Sequence, residues 1–418
     1  MLRRGLLAGT AAVLLLAGSA SQAAEITPRP PHLQPTDLTS EESGLWYMAD
    51  KAENLAKASG ERDDDDDAKL ATYVRSVECK VAPEYCDDLR IYVLDRPFFN
   101  AETAPNGYVE VWTGALLRVR NESELAFLLG HETTHFAMNH VLAEQQAMRR
   151  RMNEAMVLSL ALAVGGAAAG YSSGNVQSAN DIMNATGQLV NVVYLAEIAS
   201  FYNFSREEES EADRQGFGRA LAAGYDPISG HDLWWRMVNE IKHSEFDKVR
   251  KRPASSGIFD THPLDEDRMD ALGAMATASG KHGEPGLEAY RAAIRPHLGG
   301  LLRDDLRRRD YGETIYIIDQ KLADGGDEGV LNYFRGECFR LRRGKDDAPQ
   351  ALSAYEAAAA FLDAPAETWR EIGALYQQQH NAAKSSAAYH AYLDHAPAAQ
   401  DRWLVEAILK KLDAQGVT

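Results

Sequence analysis

The run His131-Glu132-Thr133-Thr134-His135 is where this chain concentrates chemistry. Two imidazoles four residues apart sit one turn apart on one helix face, so both can hold a single metal ion. Zinc suits such ligands, because it polarises a peptide carbonyl and brings the pKa of bound water towards neutrality. Glu132 is then the expected general base, taking the proton of that water and passing it to the leaving amine. Two His and a Glu deep in an apolar helix are costly without such a role. A third protein ligand has to come from elsewhere. The metzincin spacing would need a histidine at position 141, which is Val141. His140 falls about half a turn off the ligand face and is expected to pack or to hydrogen-bond.

The best source of that ligand is the segment Ser205-Arg206-Glu207-Glu208-Glu209-Ser210-Glu211-Ala212-Asp213. Glu209 and Asp213 share a helix face. Glu209 can ligate, and Asp213 can accept the other N–H of a ligand histidine, fixing its tautomer. Glu207, Glu208 and Glu211 read as ordinary favourable charge near a helix start.

Three capping boxes announce the helices that must position these groups: Thr39 with Glu42, Asn121 with Glu124, and Ser205 with Glu208. The first opens a helix through Leu45, Met48, Ala52 and Leu55. The second opens a long helix through the His-Glu motif to about Met152. The third opens a helix through Arg214 and Ala220, closed by Gly224-Tyr225-Asp226-Pro227. A further helix is expected from Lys69 to Val77. Ile91-Tyr92-Val93-Leu94 reads as a buried strand, and Pro105-Asn106-Gly107 as a turn. Tyr108 to Thr113 alternates Val109 and Val111 with Tyr108, Glu110 and Trp112, the pattern of a half-exposed strand. All strand signals precede residue 115. Met156 to Gly170 is apolar but short for a bilayer span, so a buried helix is expected there. Another helix is expected from about Asn184 to Phe204.

Arg3, Arg4, the apolar stretch Leu6–Leu16 and Ser21-Gln22-Ala23 form the pattern of a secretory signal peptide cut after Ala23. Pro28, Pro30, Pro31 and Pro35 make residues 24–38 an extended leader. Without residues 1–23 the chain carries 42 basic and 62 acidic residues, a net −20. That charge argues against nucleic acid and against an anionic membrane surface. The sharpest acidity, Asp63–Asp67, reads as a solvated loop. Cys79 and Cys86 flank a turn at Pro83 and can pair in an oxidising compartment. Cys338 is left over, buried on a helix.

Taken together, the motifs resemble peptidase family M48, a gluzincin family. Its Ser-Arg-x-x-Glu-x-x-Ala-Asp pattern is matched by Ser205, Arg206, Glu209, Ala212 and Asp213. Its strand signature is matched by Asn100-Ala101 and Gly107, followed by Gly114-Ala115-Leu116. A Thr-His-Pro-x(4)-Arg element is matched by Thr261, His262, Pro263 and Arg268. The resemblance covers roughly residues 40–275. It implies one Zn2+ held by His131, His135 and Glu209, with Asp213 behind them. His262 would take the fourth position and hold the enzyme in check, and Arg268 would stabilise an oxyanion. Family members with transmembrane helices exist, but no adequate span is visible here, which points to the soluble periplasmic branch. That branch implies polypeptide substrates and a link to the outer-membrane β-barrel assembly machinery. Substrate is expected along the Gly107–Thr113 strand, as an added strand.

Beyond residue 280 the chain is almost all amphipathic helix. Trp369, Ile372-Gly373 and Tyr376, then Ser385, Tyr389 and Pro397, follow the tetratricopeptide spacing. Tyr333 to Pro365, with Gly336 and Tyr355, resembles a degenerate earlier copy. The expected fold class is α+β, mostly α. A zincin-type metallopeptidase domain with a small sheet (39–280) precedes a tetratricopeptide-like helical repeat domain (287–415). The expected function is a periplasmic zinc endopeptidase for unfolded or misassembled envelope proteins. The alternative is a chaperone or assembly adaptor with a closed, rarely active metal site.

Overall fold

The three capping residues set three helix starts in the computed structural model, which describes residues 27–59, 68–153, 204–251, 259, 262–263 and 266–414. Glu42 N–H donates to Thr39 Oγ1 and Thr39 N–H to Glu42 Oε2 at 2.9 Å, closing the box that opens α1 (Ser40–Ser59). Asn121 accepts from Glu124 N–H, but Glu124 reaches the N–H of Arg120 instead of that of Asn121. Ser205 and Glu208 cap reciprocally. The signal peptide, Asp63–Asp67, Met156–Gly170 and Thr261 lie outside the described residues, as does nearly all of the helix expected from Asn184.

After α1 come α2 (Ala68–Val81), β1 (Arg90–Leu94), β2 (Ala101–Thr103), β3 (Tyr108–Trp112), α3 (Thr113–Arg118) and α4 (Glu122–Ala137). The next named helices are α5 (Arg206–Ala222), α6 (Ser229–Lys242) and α7 (Glu266–Ser279). Mostly helix with one small sheet is the fold class expected. Cys79 and Cys86 are joined as a disulfide, and Cys338 is a buried free thiol.

Two expectations are corrected. β3 is not half-exposed and offers no edge: it lies between β1, which it pairs in parallel, and β2, which it pairs antiparallel. The polar side that suggested exposure is satisfied internally. Glu110 is buried and accepts from Tyr108 Oη at 2.7 Å and Trp112 Nε1 at 3.1 Å. The edge strand that packs on α4 is β2. The second correction concerns the motif helix, which does not run unbroken to Met152. It stops at Ala137, and helix resumes only at residue 140. The break is Asn139, at φ 54°. Asparagine tolerates this left-handed conformation better than most side chains.

The tail is helical throughout its described length: α8 (Leu287–Ile294), α9 (Leu298–Arg307), α10 (Tyr311–Ala323), α11 (Glu328–Arg342), α12 (Asp347–Ala358), α13 (Glu367–Gln378), α14 (Ala382–His395) and α15 (Arg402–Ala414). One apolar core runs from Leu70 and Val74 through Leu128 and Trp234 to Leu302, Phe334 and Cys338. The first tail helices therefore share the core that supports the motif helix. Buried Arg118 on α3 reinforces this, pairing with Glu240 on α6 at 2.7 Å and Asp305 on α9 at 2.8 Å. Further out, one contact recurs. Gly336 packs against the ring of Tyr355, and Gly373 against that of Tyr389, where an added Cβ would approach ring atoms to 3.0 Å or less. Ser385 Oγ donates to the Gly373 carbonyl at 2.8 Å.

Candidate metal centre

Two glycines set the distance between the helices that build the site. α4 and α5 cross at Gly130 and Gly216, where a Cβ on Gly216 would lie 2.8 Å from the backbone nitrogen of His131. This approach lays Glu209 and Asp213 over the histidine face of α4. His131, His135, Glu209 and His262 each offer one donor atom, all within 4.8 Å of one another, and all four residues are buried. His131 Nε2 and His135 Nε2 are 3.2 Å apart. Two nitrogens at 2.0–2.1 Å from a tetrahedral ion would be about 3.3 Å apart. Each Nε2 lies 3.5 Å from a Glu209 oxygen. Glu209 Oε2 is buried without an aligned hydrogen bond. The spacing and the donor chemistry fit a zinc ion.

A further ring of contacts orients these groups. Asp213 Oδ1 is 3.0 Å from His131 Nδ1 and 3.2 Å from Trp234 Nε1. Arg268 Nε donates to Asp213 Oδ2 at 2.7 Å, and its Nη1 lies 2.9 Å from Glu209 Oε2 and 2.6 Å from the Pro263 carbonyl. On the other histidine, His140 Nδ1 lies 2.9 Å from His135 Nδ1, with Glu211 3.6 Å from His140 Nε2. His135 also stacks on Phe204 at 3.8 Å between ring centres. His140 reaches His135 because Asn139 breaks the helix, which regular helical geometry does not anticipate. Glu211 was read as a helix-start charge, and no pattern in the chain distinguishes it from Glu207.

The electrostatics are those of a buried site. Burial pushes Glu132 up to about 8, opposed by His262 and aided by Glu209. Burial alone would lower His262, but the Glu209 and Glu132 carboxylates outweigh it and raise it to about 9. Burial would raise Asp213, yet Arg268 and His131 bring it down to about 2. Glu209 is likewise held below its ordinary value, burial being outweighed by His262, His131 and Arg268. Burial drives His135 well below its ordinary range, and the neighbouring histidines add to that.

In the metal-free site burial favours the protonated Glu132 carboxyl, and the neighbouring carboxylates favour the protonated His262. Zinc loading is therefore expected to release protons. Calorimetry in buffers of different ionisation enthalpy measures this, and a buffer-independent heat would contradict it. The same upward shifts stabilise the metal-free fold at low pH, an effect lost as pH rises through about 8 to 9. The Asp213 contribution has the opposite sign: present above its ordinary value of 3.8, it is lost as pH falls through about 2.

The model for peptidase family M48 matches residues 65–276. The chain is 30% identical over 173 residues to a putative beta-barrel assembly-enhancing protease of Vibrio cholerae, covering 41% of this chain and 31% of that protein. It is 31% identical over 182 residues to the mitochondrial metalloendopeptidase OMA1 of Danio rerio, covering 44% and 34%. A beta-barrel assembly-enhancing protease of Yersinia pestis is 22% identical over 257 residues, covering 56% and 47%. The matches thus span about a third of the first two relatives' own length.

Proposed function

The chain belongs to peptidase family M48, and on that footing we propose that it is a zinc-dependent endopeptidase of the periplasm that cleaves unfolded or misassembled envelope proteins. The observation that carries the reading is the convergence of His131, His135, Glu209 and His262 beside Glu132. His131, His135 and Glu209 would hold the ion, which when bound supplies Lewis acidity to a peptide carbonyl and to water. Glu132 serves as the base that takes a proton from the attacking water and returns it to the leaving amine. Asp213 orients His131, and His140 does the same for His135. Arg268 positions Asp213 and Glu209 through its Nε and Nη1, and the oxyanion role that the family resemblance implies for it stays part of the proposal.

Polypeptide would add to β2, the edge strand against α4, through main-chain hydrogen bonds largely independent of sequence. Among the described residues no helix is long and apolar enough to cross a membrane. The periplasmic assignment rests on the Arg3-to-Ala23 signal pattern and on the names of the two beta-barrel assembly-enhancing relatives. The recurring Gly–Tyr helix pairs support a tetratricopeptide-like tail that holds clients or the β-barrel assembly machinery. The unit at 39–280 would carry the catalysis and that at 287–415 the binding.

His262 is the proposed gate. Its Nδ1 lies 2.9 Å from Glu209 Oε1 and its Nε2 3.9 Å from Glu132. It thereby occupies the face that water and substrate need. Zinc-loaded His262→Ala is expected to cleave casein several-fold faster than wild type, with 1,10-phenanthroline abolishing both activities and added zinc restoring them. No gain from His262→Ala would remove the gate. Casein hydrolysis untouched by the chelator would remove the zinc peptidase.

A further inference from the structure

The proline-rich leader is part of the site's architecture. Arg29 N–H donates to the Ala137 carbonyl at the end of α4 at 2.6 Å, and Tyr85 Oη donates to the Arg29 carbonyl at 2.6 Å. Asn139 Nδ2 donates to the Thr27 carbonyl at 3.1 Å. These bonds seat the Arg29 guanidinium against the rings of Phe136 and Trp46, 4.6 and 5.8 Å from their centres. Arg29 is only 5% exposed. Its Nη2 donates to Asn139 Oδ1 at 2.7 Å, but Nε and Nη1 have no partner. Glu42 is near, yet its Oε2 is engaged by the backbone N–H and hydroxyl of Thr39. Glu42 and Asp88 act on the buried cation from a distance, neither in a contact ion pair, and the ring faces offset only part of its burial cost.

The unpaired nitrogens are not alone. Arg29, Glu42, Thr103, Pro105, His135 and Val141 are among the residues that line one narrow cavity, with room for about one water-sized group. Thr103 Oγ1 is also buried without a partner. Thr103 ends β2, the edge strand proposed to receive substrate, and His135 is a proposed metal ligand. The orphaned donors thus line a cavity that His135 lines as well. We propose that Arg29, with Thr103, is a subsite for a substrate carboxylate. An anionic oxygen matches a guanidinium and a hydroxyl, and answers the buried charge as a neutral carbonyl cannot. The carboxylate comes from an Asp or Glu side chain or from a polypeptide's C-terminus. The subsite rests on the peptidase reading.

The test uses the full-length zinc-loaded protein and quenched peptides carrying Asp or Asn, and a free or amidated C-terminus, at successive distances from the cleaved bond. One acidic placement is expected to raise kcat/KM by at least about tenfold over its neutral isostere. Whether side chain or terminus gives the rise identifies the source. In Arg29→Gln that ratio falls to near one, while cleavage of the neutral peptide and zinc content stay close to wild type. Thr103→Val lowers the ratio partway, and it decides the matter should Arg29→Gln fail to fold. A wild-type ratio of one, or a ratio unchanged in a folded Arg29→Gln or in Thr103→Val, overturns the subsite and leaves a trapped water only. If the wild type cleaves neither peptides nor casein, the peptidase reading fails by itself. The subsite is then read by calorimetric binding, to the Glu132→Gln protein, of N-acetyl-aspartate amide against N-acetyl-asparagine amide and of N-acetyl-alanine against N-acetyl-alanine amide, where equal or absent binding in both pairs overturns it.

Discussion

Glu132→Gln is expected to lower casein hydrolysis by roughly a hundred- to ten-thousandfold, the usual worth of a positioned general base, with zinc content unchanged. The exchange keeps the side chain's size and removes only its capacity to take a proton. Glu132 is not among the four residues whose donor atoms converge, so the ion should be held as before. Its carboxyl is buried and 3.9 Å from His262 Nε2. Burial raises it to about 8 in the metal-free site. A neutral amide is therefore no worse for folding, and a bound dication is what makes the carboxylate available as a base near neutrality. The measurement is initial rate together with metal content for both proteins. Equal rates at equal zinc would sink the peptidase reading and favour the closed-site adaptor.

Glu209→Gln is expected to weaken zinc binding by more than about a hundredfold, exceeding the ten- to hundredfold cost typical of residues behind the ligands. Asp213→Asn should fall within that smaller range. The difference follows from charge. Glu209 and Asp213 are the two carboxylates paired with Arg268, at 2.9 and 2.7 Å. Without the Glu209 charge, a dication and a guanidinium would share one remaining anion. Asp213 lies 3.0 Å from the Nδ1 of His131, remote from the ion, so its loss loosens a tautomer rather than removing a ligand. Competition with a chromophoric chelator measures both constants, and thermal unfolding of the metal-free variants separates affinity from folding. Wild-type affinity in Glu209→Gln would exclude Glu209 as a ligand.

Much of this site is legible in the chain because its parts obey local rules. His131 and His135, and Glu209 and Asp213, are helical neighbours at four-residue spacing, and spacing within a helix is a property of sequence. The capping pairs Thr39–Glu42 and Ser205–Glu208 are local as well, and both close. What was misjudged depends on partners distant in sequence. Tyr108–Trp112 alternates like a surface strand. Whether such a strand is central or edge depends on β1 and β2 claiming its two sides, and alternation reports only that its two faces differ. The helix break at Asn139 is an allowed but unrequired conformation for asparagine. The leader, bonded through Arg29 and Thr27 to Ala137 and Asn139, accompanies it.

Residue order alone places each residue type on its helix face, and hence makes metal chemistry available near Glu132. It also carried the charge balance, the caps and the helical tail. It is packing between distant segments that lets two helices approach at Gly130 and Gly216 closely enough to bring Glu209 to the histidines. The same packing sets His262 against Glu209, His140 behind His135, and Arg29 buried beside them. The reason is physical. Helical periodicity is set by the backbone within a few residues, whereas most of these contacts join groups 53 to 110 positions apart through packing that no single segment specifies.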